Sequence, residues 1–403
     1  MSVPKLRFPE FDGEWEWKKL SDISRLTSSK RVYLTDYTKN GIPFYRGKEI
    51  SALKNGKALD DLLYISEEKY TEFKNKFGVP KENDILITGV GTLGNVYRIP
   101  NNEPFYFKDG NLIWLKEINE NSHFLEYVLD FNKNKILSSA IGSTQKALTI
   151  VELNKLKFQI PYFLEQEKIA FFLSKVDEKI EKLEKKQELW ETYKKGIMQQ
   201  IFSQKLRFKD ENGEDYPDWE EKKLGDIARF FKGKGVSKND ISRDGIECIR
   251  YGELYTTYKE EIKDIVSKTN LTIDGLVLSD KNDIIIPTSG ETAIDIATAS
   301  CVMKSGVAIG GDTTIIKTNE NGLFLSYYLN NQRNKIAKMA QGVSVVHLYS
   351  NQLKLLKLRI PTINEQNKIA DFLSSIEIKI RILDKELKIN QEFKRGLLQL
   401  MFC

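Results

Sequence analysis

The sequence has 403 residues, of which 40% are apolar and 30% are charged, so it is long enough for two globular units that each bury a core. Its net charge is only +5, which permits a polyanionic partner without arguing for one. Neither an apolar leader nor a run of about 18 apolar residues occurs, so we expect a cytoplasmic protein that does not contact a membrane. The odd number of cysteines, Cys248, Cys301 and Cys403, favours free thiols over disulfides.

The chain repeats itself at an offset of about 200 residues, which indicates two copies of one domain. The blocks that recur are LRFPEFDGEW from Leu6 and LRFKDENGED from Leu206, NDILIT from Asn83 and NDIIIPT from Asn282, and EQEKIAFFL from Glu165 and EQNKIADFL from Glu365.

Within each copy, short β-rich runs are bounded by Gly, Asn or Pro. The runs are ILIT, LIWLK and LKFQIP in the first copy and IIIPTS, TTIIKT and LKLRIP in the second, whereas FLEYVL and FLSYYL have helical spacing. Pro161 and Pro361 mark the ends of the last strands, because proline breaks a β-ladder and is tolerated at a helix start. Each copy is therefore predicted to be an α+β domain followed by one long helix.

Both copies end in a sustained heptad pattern. Alternate steps of four and three residues, from Ile169 to Ile201 and from Ile369 to Met401, meet mostly apolar side chains. The other positions are rich in Lys and Glu, so each helix can bury only one stripe, and its natural partner is the helix of the other copy. Chain direction then makes the pair an antiparallel coiled coil, in which residues 165–203 would span roughly 57 Å at about 1.5 Å per residue.

The predicted fold is α+β, with two pseudo-symmetric domains, residues 1–160 and 205–360, joined by helices over residues 161–204 and 361–403. Polar residues interrupt the heptad stripes, and they either fix the register of the pair or mark where it loosens near its ends. These residues are Gln187, Lys194, Asn390 and Lys394.

The sequence offers no motif for catalysis or metal binding. GIPFYRGKE, from Gly41, resembles a phosphate loop but has five residues between its glycines and Glu49 where Ser or Thr must hold magnesium. The two histidines, His123 and His347, are far apart and lack cysteine neighbours, so neither a zinc site nor a histidine relay is expected. We predict a chain with no catalytic residues, no metal and no cofactor of its own.

Two variable α+β domains, each closed by IP…EQ-x-KIA-x-FL and a long heptad helix, resemble the specificity subunit of type I restriction-modification systems over the whole chain. The resemblance implies two target-recognition domains that each bind one half of a split double-stranded DNA site, so the target is expected to be asymmetric and interrupted. It also implies that the helices set the gap and carry two methyltransferase subunits, which would bind S-adenosylmethionine, with restriction and translocase subunits in some systems. The docking surface would include Glu165, Gln166, Lys168 and their counterparts Glu365, Gln366 and Lys368.

Four regions at equivalent positions carry the side chains that DNA contacts need. Arg46 and Arg250 could fork onto guanine or clamp a phosphate, or they could form surface ion pairs. The glycine-bearing turns at 88–94 and 288–292 could admit an anion or be plain hairpin turns. The basic segment around Lys232 could bind phosphate or only be solvated.

The fourth region precedes the last strand of each domain. Gln145 could read adenine and Lys146 would take phosphate, but Val345 and Val346 replace them in the second copy, so the two copies need not share this role. The predicted DNA-binding residues are Tyr45, Arg46, Lys48, Thr92, Thr144, Gln145, Lys146, Lys232, Lys234, Arg250, Tyr251, Ser289, Thr292, Ser344 and His347.

Two other functions stay open at this point. A structural adaptor, with two protein-binding modules on a coiled-coil spacer and no nucleic acid, is favoured slightly by the modest net charge. An enzyme with an unrecognised site would methylate or cleave DNA alone. Salt dependence separates DNA binding from the adaptor, because neutralising several phosphates makes affinity fall steeply as salt rises.

Overall fold

The structure, a computed structural model, describes residues 4–342 and 345–402. It divides into two compact units that each draw on both halves of the chain. Unit 1 consists of the residues up to Leu183 together with those from Glu386 onwards, and unit 2 is the segment 184–385. Each unit is a mixed α+β fold that includes a segment of both long helices.

Unit 1 contains two four-stranded sheets and one two-stranded pair. Its strands are β1 (Glu16–Lys19), β2 (Arg25–Thr27), β3 (Tyr37–Thr38), β4 (Ile42–Tyr45), β5 (Leu63–Ile65), β6 (Ile85–Thr88), β7 (Val96–Arg98), β8 (Tyr106–Phe107), β9 (Leu112–Lys116) and β10 (Lys157–Ile160). Its helices are α1 (Leu20–Ile23), α2 (Gly47–Lys54), α3 (Glu67–Phe77), α4 (Ser122–Phe131), α5 (Lys133–Ser138), α6 (Ile150–Lys155) and the first part of α7 (Phe163–Phe202). The sheets have the orders β2-β9-β6-β7 and β3-β5-β4-β8, and β1 pairs with β10.

The core of unit 1 forms where the predicted apolar runs meet. ILIT and LIWLK coincide with β6 and β9, which pair antiparallel with Ile87 opposite Ile113. Their side chains pack against Phe124 and Val128 of α4, the helix that contains FLEYVL. The last strand ends directly before Pro161, as the proline predicts.

Unit 2 repeats this arrangement with a larger central sheet. Its strands are β11 (Glu220–Lys223), β12 (Ala228–Lys232), β13 (Ile241–Ser242), β14 (Ile246–Ile249), β15 (Glu261–Ile262), β16 (Ser267–Thr269), β17 (Ile284–Pro287), β18 (Ser289–Gly290), β19 (Ser300–Val302), β20 (Ala308–Ile309), β21 (Thr313–Thr318), β22 (Val346–His347) and β23 (Lys357–Ile360). Its helices are α8 (Leu224–Ile227), α9 (Tyr251–Thr256), α10 (Ala293–Ile296), α11 (Gly322–Asn331), α12 (Arg333–Ala337), α13 (Ser350–Lys354) and the first part of α14 (Ile363–Met401). The sheet orders are β12-β21-β17-β19-β15 and β13-β16-β14-β20, with pairs β11-β23 and β18-β22.

The long helices α7 and α14 pack together and run antiparallel. In unit 1, Asp177 of α7 pairs with Lys394 of α14 at 2.5 Å. In unit 2, Lys194 of α7 pairs with Glu377 of α14 at 2.7 Å. Positions therefore rise along one helix as they fall along the other, and every predicted seam residue is buried or half-buried. The predicted antiparallel coiled coil is confirmed.

Each long helix ends in the core of the domain that belongs to the other copy. Phe402, which follows α14, packs in unit 1 against Trp15 and Phe124, with ring centroids 6.3 and 5.6 Å away. Phe202, the last residue of α7, stacks on Tyr328 in unit 2 at 4.5 Å. The aromatic ends of the helices are thus exchanged between the two copies.

Two of the three cysteines are free, as predicted: Cys248 and Cys301 are buried thiols. Burial raises the pKa of Cys248 to about 11 and that of Cys301 to about 12, so both stay protonated at neutral pH. Cys403 lies outside the described residues. Across residues 4–342 and 345–402, no helix has the length and apolarity needed to cross a membrane.

Candidate DNA-recognition surface and helix junctions

The two predicted arginines sit where a strand passes into a short helix, and not on an open loop. Arg46 precedes α2 and Arg250 precedes α9, and each guanidinium binds a buried glutamate three residues further on. The shortest contacts are 2.6 Å from Arg46 to Glu49 and 2.7 Å from Arg250 to Glu253. Both arginines are therefore held in the ion pair that was one of their two predicted roles.

The first of these ion pairs lowers the pKa of a buried carboxyl. Burial acts to raise the pKa of the Glu49 carboxyl, but hydrogen bonds from Arg46 outweigh it and hold that pKa below its ordinary value. Hydrogen bonding to Glu49 in turn raises the pKa of Arg46. Glu49 is consequently ionised at neutral pH, and the arginine that neutralises it is still about a quarter exposed.

The neighbours of these arginines divide into one half-buried and two exposed side chains. Tyr45 stacks on Phe105 with a centroid distance of 4.9 Å, so it helps to fix the strand end. Lys48 and Tyr251 lie in the first turns of α2 and α9 and are exposed. Lys48 and Tyr251 therefore present the more accessible side chains of the three.

The glycine-bearing turns lie next to the hairpins that precede α6 and α13. In unit 1, the N–H of Leu148 donates to the carbonyl of Gly89 at 2.9 Å, and in unit 2 the N–H of Leu348 donates to the carbonyl of Thr288 at 3.0 Å. In unit 2 the contact extends into the strand pair β18-β22, which places Ser289 opposite His347. Two regions that are far apart in the sequence are therefore adjacent in each unit.

Both hairpins are closed in the same way. Ile141 pairs with Ala147, and Gln341 pairs with His347. Glycine follows the first residue of each pair with φ of +115° at Gly142 and +121° at Gly342, and a Cβ there would lie 2.3 and 2.1 Å from a carbonyl oxygen of the same hairpin. Only glycine fits this turn, so the two hairpins share one backbone design.

The tips of the hairpins differ although their frames agree. Thr144, Gln145 and Lys146 are all exposed, and they present an amide, a hydroxyl and a cation to solvent. In unit 2, Val345 is half exposed and Val346 is buried. Ser344, also predicted to contact DNA, lies outside the described residues.

The remaining candidates adjoin the same surface. Thr92 is exposed in its turn, where its carbonyl accepts a hydrogen bond from the hydroxyl of Thr88. Thr292 is exposed and caps α10, since its hydroxyl accepts from the N–H of Asp295 at 3.2 Å. Lys232 ends β12 with an exposed side chain, and the N–H of the exposed Lys234 donates to the carbonyl of Ile309 at 2.9 Å.

Close approaches at glycines link further pairs of these regions. A Cβ on Gly47 would lie 3.8 Å from atoms of Thr88 and Val90, so the start of α2 touches the turn at 88–94. A Cβ on Gly310, beside the basic segment of unit 2, would lie 3.5 Å from the Cα of Arg250. The sequence-predicted regions are thus neighbours within each unit.

The predicted docking residues at the helix starts are mostly internal. Glu165 has no exposed surface, and its carboxylate accepts two hydrogen bonds from Arg7, both 2.7 Å, and one from the indole of Trp15 at 3.3 Å. Glu365 is equally buried and binds Arg207 at 2.9 Å. These contacts fasten the front segment of each domain to its helix.

Gln166 and Gln366 are also fully buried, whereas the two lysines are not. Lys168 is partly exposed, pairs with Glu10 and lies over the ring of Phe8. Lys368 donates to the carbonyl of Lys209 at 2.6 Å. Direct contact with a partner through this motif would therefore depend on the lysines, and the partner-binding role of the buried pair stays a prediction.

Sequence reasoning missed a pair of clusters that join lysine, acid and tyrosine. In unit 1, Tyr127 donates to Asp177 at 2.6 Å, and Lys394 lies over the tyrosine ring at 5.5 Å. In unit 2, Lys194 lies over the ring of Tyr327 at 5.4 Å. The members recur at one offset in the repeat, which is the signal that could have found them.

Within residues 4–342 and 345–402, the His, Cys, Asp and Glu side chains form no cluster that could hold a metal ion. The structure is a duplicated α+β fold with polar loops gathered in each unit and a pair of packed long helices. Comparison with known proteins gives the class its name.

A profile of the type I restriction modification DNA specificity domain matches residues 12–191 and 216–391. The chain belongs to this family of type I restriction-modification specificity subunits, which are non-catalytic, recognise DNA targets and form part of a complex with other subunits. Family membership decides against the adaptor without nucleic acid and against the lone enzyme.

Similarity to individual relatives extends over nearly the whole chain. A Methanocaldococcus jannaschii protein named as the specificity subunit of type I restriction enzyme MjaX is 26% identical, with 98% of this chain and 95% of that protein covered. The crystal structure of the type I restriction-modification S subunit from M. genitalium has the same fold, with a TM-score of 0.66 at 17% identity over 100% of this chain and 99% of that one. A structure on assembly and conformational transition of the type I system gives 0.53 at 15% identity over 97% of each chain.

Proposed function

We propose that each unit reads one half of a bipartite, asymmetric double-stranded DNA target. The observation that carries this proposal is the convergence of equivalent recognition regions in both units on a shared backbone frame with different side chains. A hairpin of one design exposes Gln145 and Lys146 in unit 1, whereas in unit 2 it exposes Val345 and buries Val346. Since base reading depends on the side chains presented to the groove, the two half-sites differ in sequence.

Within unit 1, the side chains divide by chemistry into positioning and reading groups. Lys48 and Lys146 bind phosphates, since an ammonium is a point charge without a preferred base. Gln145 reads adenine, because its amide supplies one donor and one acceptor to the major-groove edge. Thr92 and Thr144 add hydroxyl contacts, and Arg46 approaches a phosphate while it stays paired with Glu49.

Within unit 2, Lys232 and Lys234 supply the phosphate contacts. Ser344 and the exposed Thr292 offer hydroxyls, and His347 offers an imidazole opposite Ser289, whose own side chain is buried. Tyr251 presents an exposed ring at the start of α9. This set has fewer amides and cations at its hairpin than unit 1, which is the chemical basis for a different half-site.

The long helices set the gap between the half-sites and carry two methyltransferase subunits, one for each copy of the repeated segment. Duplication supports this role, since a repeated surface suits two identical partners. S-adenosylmethionine is bound by those partners, and restriction and translocase subunits join the complex in some systems. On the helix starts, Lys168 and Lys368 are the predicted docking residues with accessible side chains, and Glu165 with Gln166 and Glu365 with Gln366 act on docking by holding those starts in place.

The decisive experiment shortens both helices by one heptad, residues 181–187 and 384–390. This deletion keeps the alternation of the seam and removes about 10.5 Å of helix, the length of about three base pairs. Sequencing of methylated adenines in host DNA should show the same two half-sites with a shorter gap. Altered bases with the old gap would contradict the assignment of the helices as spacer.

A matched exchange tests the recognition units themselves. Replacing residues 1–160 with the corresponding domain of another family member should change one half-site and leave the other half-site and the gap unchanged. The parent chain assayed in the same host is the control. A change in both half-sites would show that the units do not read DNA independently.

A further inference from the structure

Gln166 uses both ends of its amide inside unit 1. Its side-chain oxygen accepts a hydrogen bond from the N–H of Asn121 at 2.9 Å, and its NH2 group donates to a carboxylate oxygen of Glu120 at 2.6 Å and to the carbonyl of Pro161 at 2.9 Å. The side chain has no exposed surface. All of its strong hydrogen-bonding capacity is therefore directed inward.

These three contacts join three separate elements. Gln166 lies in the first turn of α7, Pro161 directly follows β10, and Asn121 caps α4 by accepting the N–H of Phe124 at 2.9 Å. Glu120 extends the junction to β1, since its second oxygen binds Lys18 at 2.7 Å. One side chain thus ties the spacer helix to the last strand and to the central helix of the recognition domain.

Unit 2 repeats the junction with the same geometry. Gln366 accepts from the N–H of Asn321 at 2.9 Å and donates to Glu320 at 2.6 Å and to Pro361 at 2.9 Å. It is also fully buried. The recognition regions vary between the units, but this connection between domain and helix does not.

The chemistry of the junction requires glutamine in particular. The site offers one donor, a backbone N–H, and two acceptors, a carboxylate and a carbonyl, so the side chain must accept once and donate twice. Glutamate could accept but would direct an anion at Glu120 and at the carbonyl of Pro161. A buried polar group left without its partner is costly, so a change of this one side chain loosens the whole junction.

We infer that Gln166 and Gln366 are positioning residues that hold each recognition domain in a fixed orientation on its helix, and so restrict the target to a single gap length. This inference rests on the proposed function, in which the helices set the gap. It gives the repeated Glu-Gln motif a part in specificity that needs no contact with DNA or with a partner subunit. The neighbouring glutamates, Glu165 and Glu365, support it by fastening the front segment of each domain.

The test compares Gln166→Glu and Gln366→Glu with Gln200→Ala, a substitution at an exposed position of the helix that contains Gln166, in the complete methyltransferase complex. Methylated-adenine sequencing gives the distribution of gap lengths, and thermal unfolding of the assembled complex reports stability. We expect the half-site bases to stay unchanged while the share of sites with a gap one base pair longer or shorter rises by about tenfold, the change that corresponds to losing about one buried hydrogen bond. Gln200→Ala should keep the single gap.

A second variant separates positioning from simple loss of stability. Glu120→Gln combined with Gln166→Glu reverses the donor and the acceptor of one hydrogen bond, so it should narrow the gap distribution again relative to Gln166→Glu alone. Gln166→Ala replaces the first variant if the glutamate prevents assembly, since alanine removes the donors without adding a charge.

Different results would overturn the positioning role and the proposed function. A single unchanged gap in a destabilised Gln166→Glu or Gln166→Ala complex would overturn the positioning role and leave the proposed function intact. Absence of any gap in the target of the parent chain would overturn the proposed function itself. Failure of the double variant to narrow the distribution, with the single variant broadened, would assign the effect to general loosening and so also overturn the role of this hydrogen bond.

Discussion

Both units contain a lysine–acid contact between α7 and α14, but the charged groups are more deeply buried in unit 2 than in unit 1. In unit 2, Lys194 is only 8% exposed and bridges Glu260 and Glu377, each at 2.7 Å. In unit 1, Lys394 and its partner Asp177 are both more than a quarter exposed. Burial acts to lower the pKa of Lys194, but the two carboxylates outweigh it and raise that pKa.

The comparison shows that one repeated register can be held by two kinds of contact. Lysine and acid recur at equivalent positions, so the sequence pattern alone would assign them equal weight. Their burial makes them unequal, because removing one partner of a buried ion pair costs far more stability than removing one partner of an exposed pair.

The largest expected effect comes from breaking the buried pair. Lys194→Ala would leave the buried Glu377 and the half-buried Glu260 without the lysine that bridges them, and should lower the free energy of unfolding by about 3–5 kcal/mol. The matched Lys394→Ala should cost about 1 kcal/mol or less. Urea unfolding of the two variants beside the parent chain measures both values, and equal losses would contradict the comparison.

A smaller difference is expected at the tyrosines of the same clusters. Tyr127→Phe removes a hydroxyl that donates to Asp177 at 2.6 Å, and should cost about 1–2 kcal/mol of unfolding free energy. The hydroxyl of Tyr327 is buried and has no hydrogen-bond partner among the described residues, so Tyr327→Phe should be neutral or slightly stabilising. Thermal unfolding of both variants checks this contrast, and a clear loss for Tyr327→Phe would show that its hydroxyl has a partner in solution.

The hairpin tips allow the comparison to be extended to DNA. Lys146→Ala should weaken binding equally on all sequences and reduce the slope of log affinity against log salt by about 1, as expected when one phosphate contact is lost. Val345→Ala, at the equivalent hairpin, should leave that slope unchanged. Titrations of the complex with target DNA at several salt concentrations give both slopes. An unchanged slope for Lys146→Ala would show that this lysine makes no phosphate contact.

The smallest expected effect is a dependence on pH that arises from His123 in unit 1. Burial, reinforced by Arg98, lowers the pKa of His123 below its ordinary value of 6.5, whereas the equivalent residue of unit 2 is Leu323. The unfolded chain then binds the proton more readily, so the contribution of His123 falls as the pH drops below about 6.5 and levels off below the folded-state pKa. His123→Leu should reduce the loss of melting temperature between pH 7.5 and pH 5.5; an equal loss in the variant would assign that pH dependence to other groups.

Periodicity and repetition were enough to predict the frame of the molecule. The heptad seam, the six strand-like runs and the two helical segments needed only local patterns of apolar residues and the prolines that end them. The repeat supplied the antiparallel pairing, because a helix with one apolar stripe needs a partner of its own length. These features follow from local patterns and from the repeat, both of which can be read from a single sequence.

Burial of charged groups could not be predicted in the same way. Glu165 belongs to a motif rich in Glu and Lys that looks solvent-exposed, yet it is buried by Arg7, which is 158 residues away in the chain. Arg46 and Arg250 have a glutamate three residues later in both copies, a spacing that signals an N-terminal helix cap but is easily missed when the cap residue is arginine. The assignments of individual residues to DNA or to partner subunits stay predictions, since they depend on a groove and on surfaces that the sequence does not display.

The exchanged aromatic ends of the helices limit how new recognition domains can be acquired. Phe402 fills a socket of unit 1 that includes Trp15, Phe124 and Phe131, although it lies at the far end of the chain. A replacement domain that lacks this socket would leave Phe402 exposed to solvent, and its own core would be incompletely packed. Recombination that exchanges recognition domains is therefore constrained by the fit of this phenylalanine into its socket, which is independent of DNA binding. The recognition loops can vary freely only in domains that keep the socket.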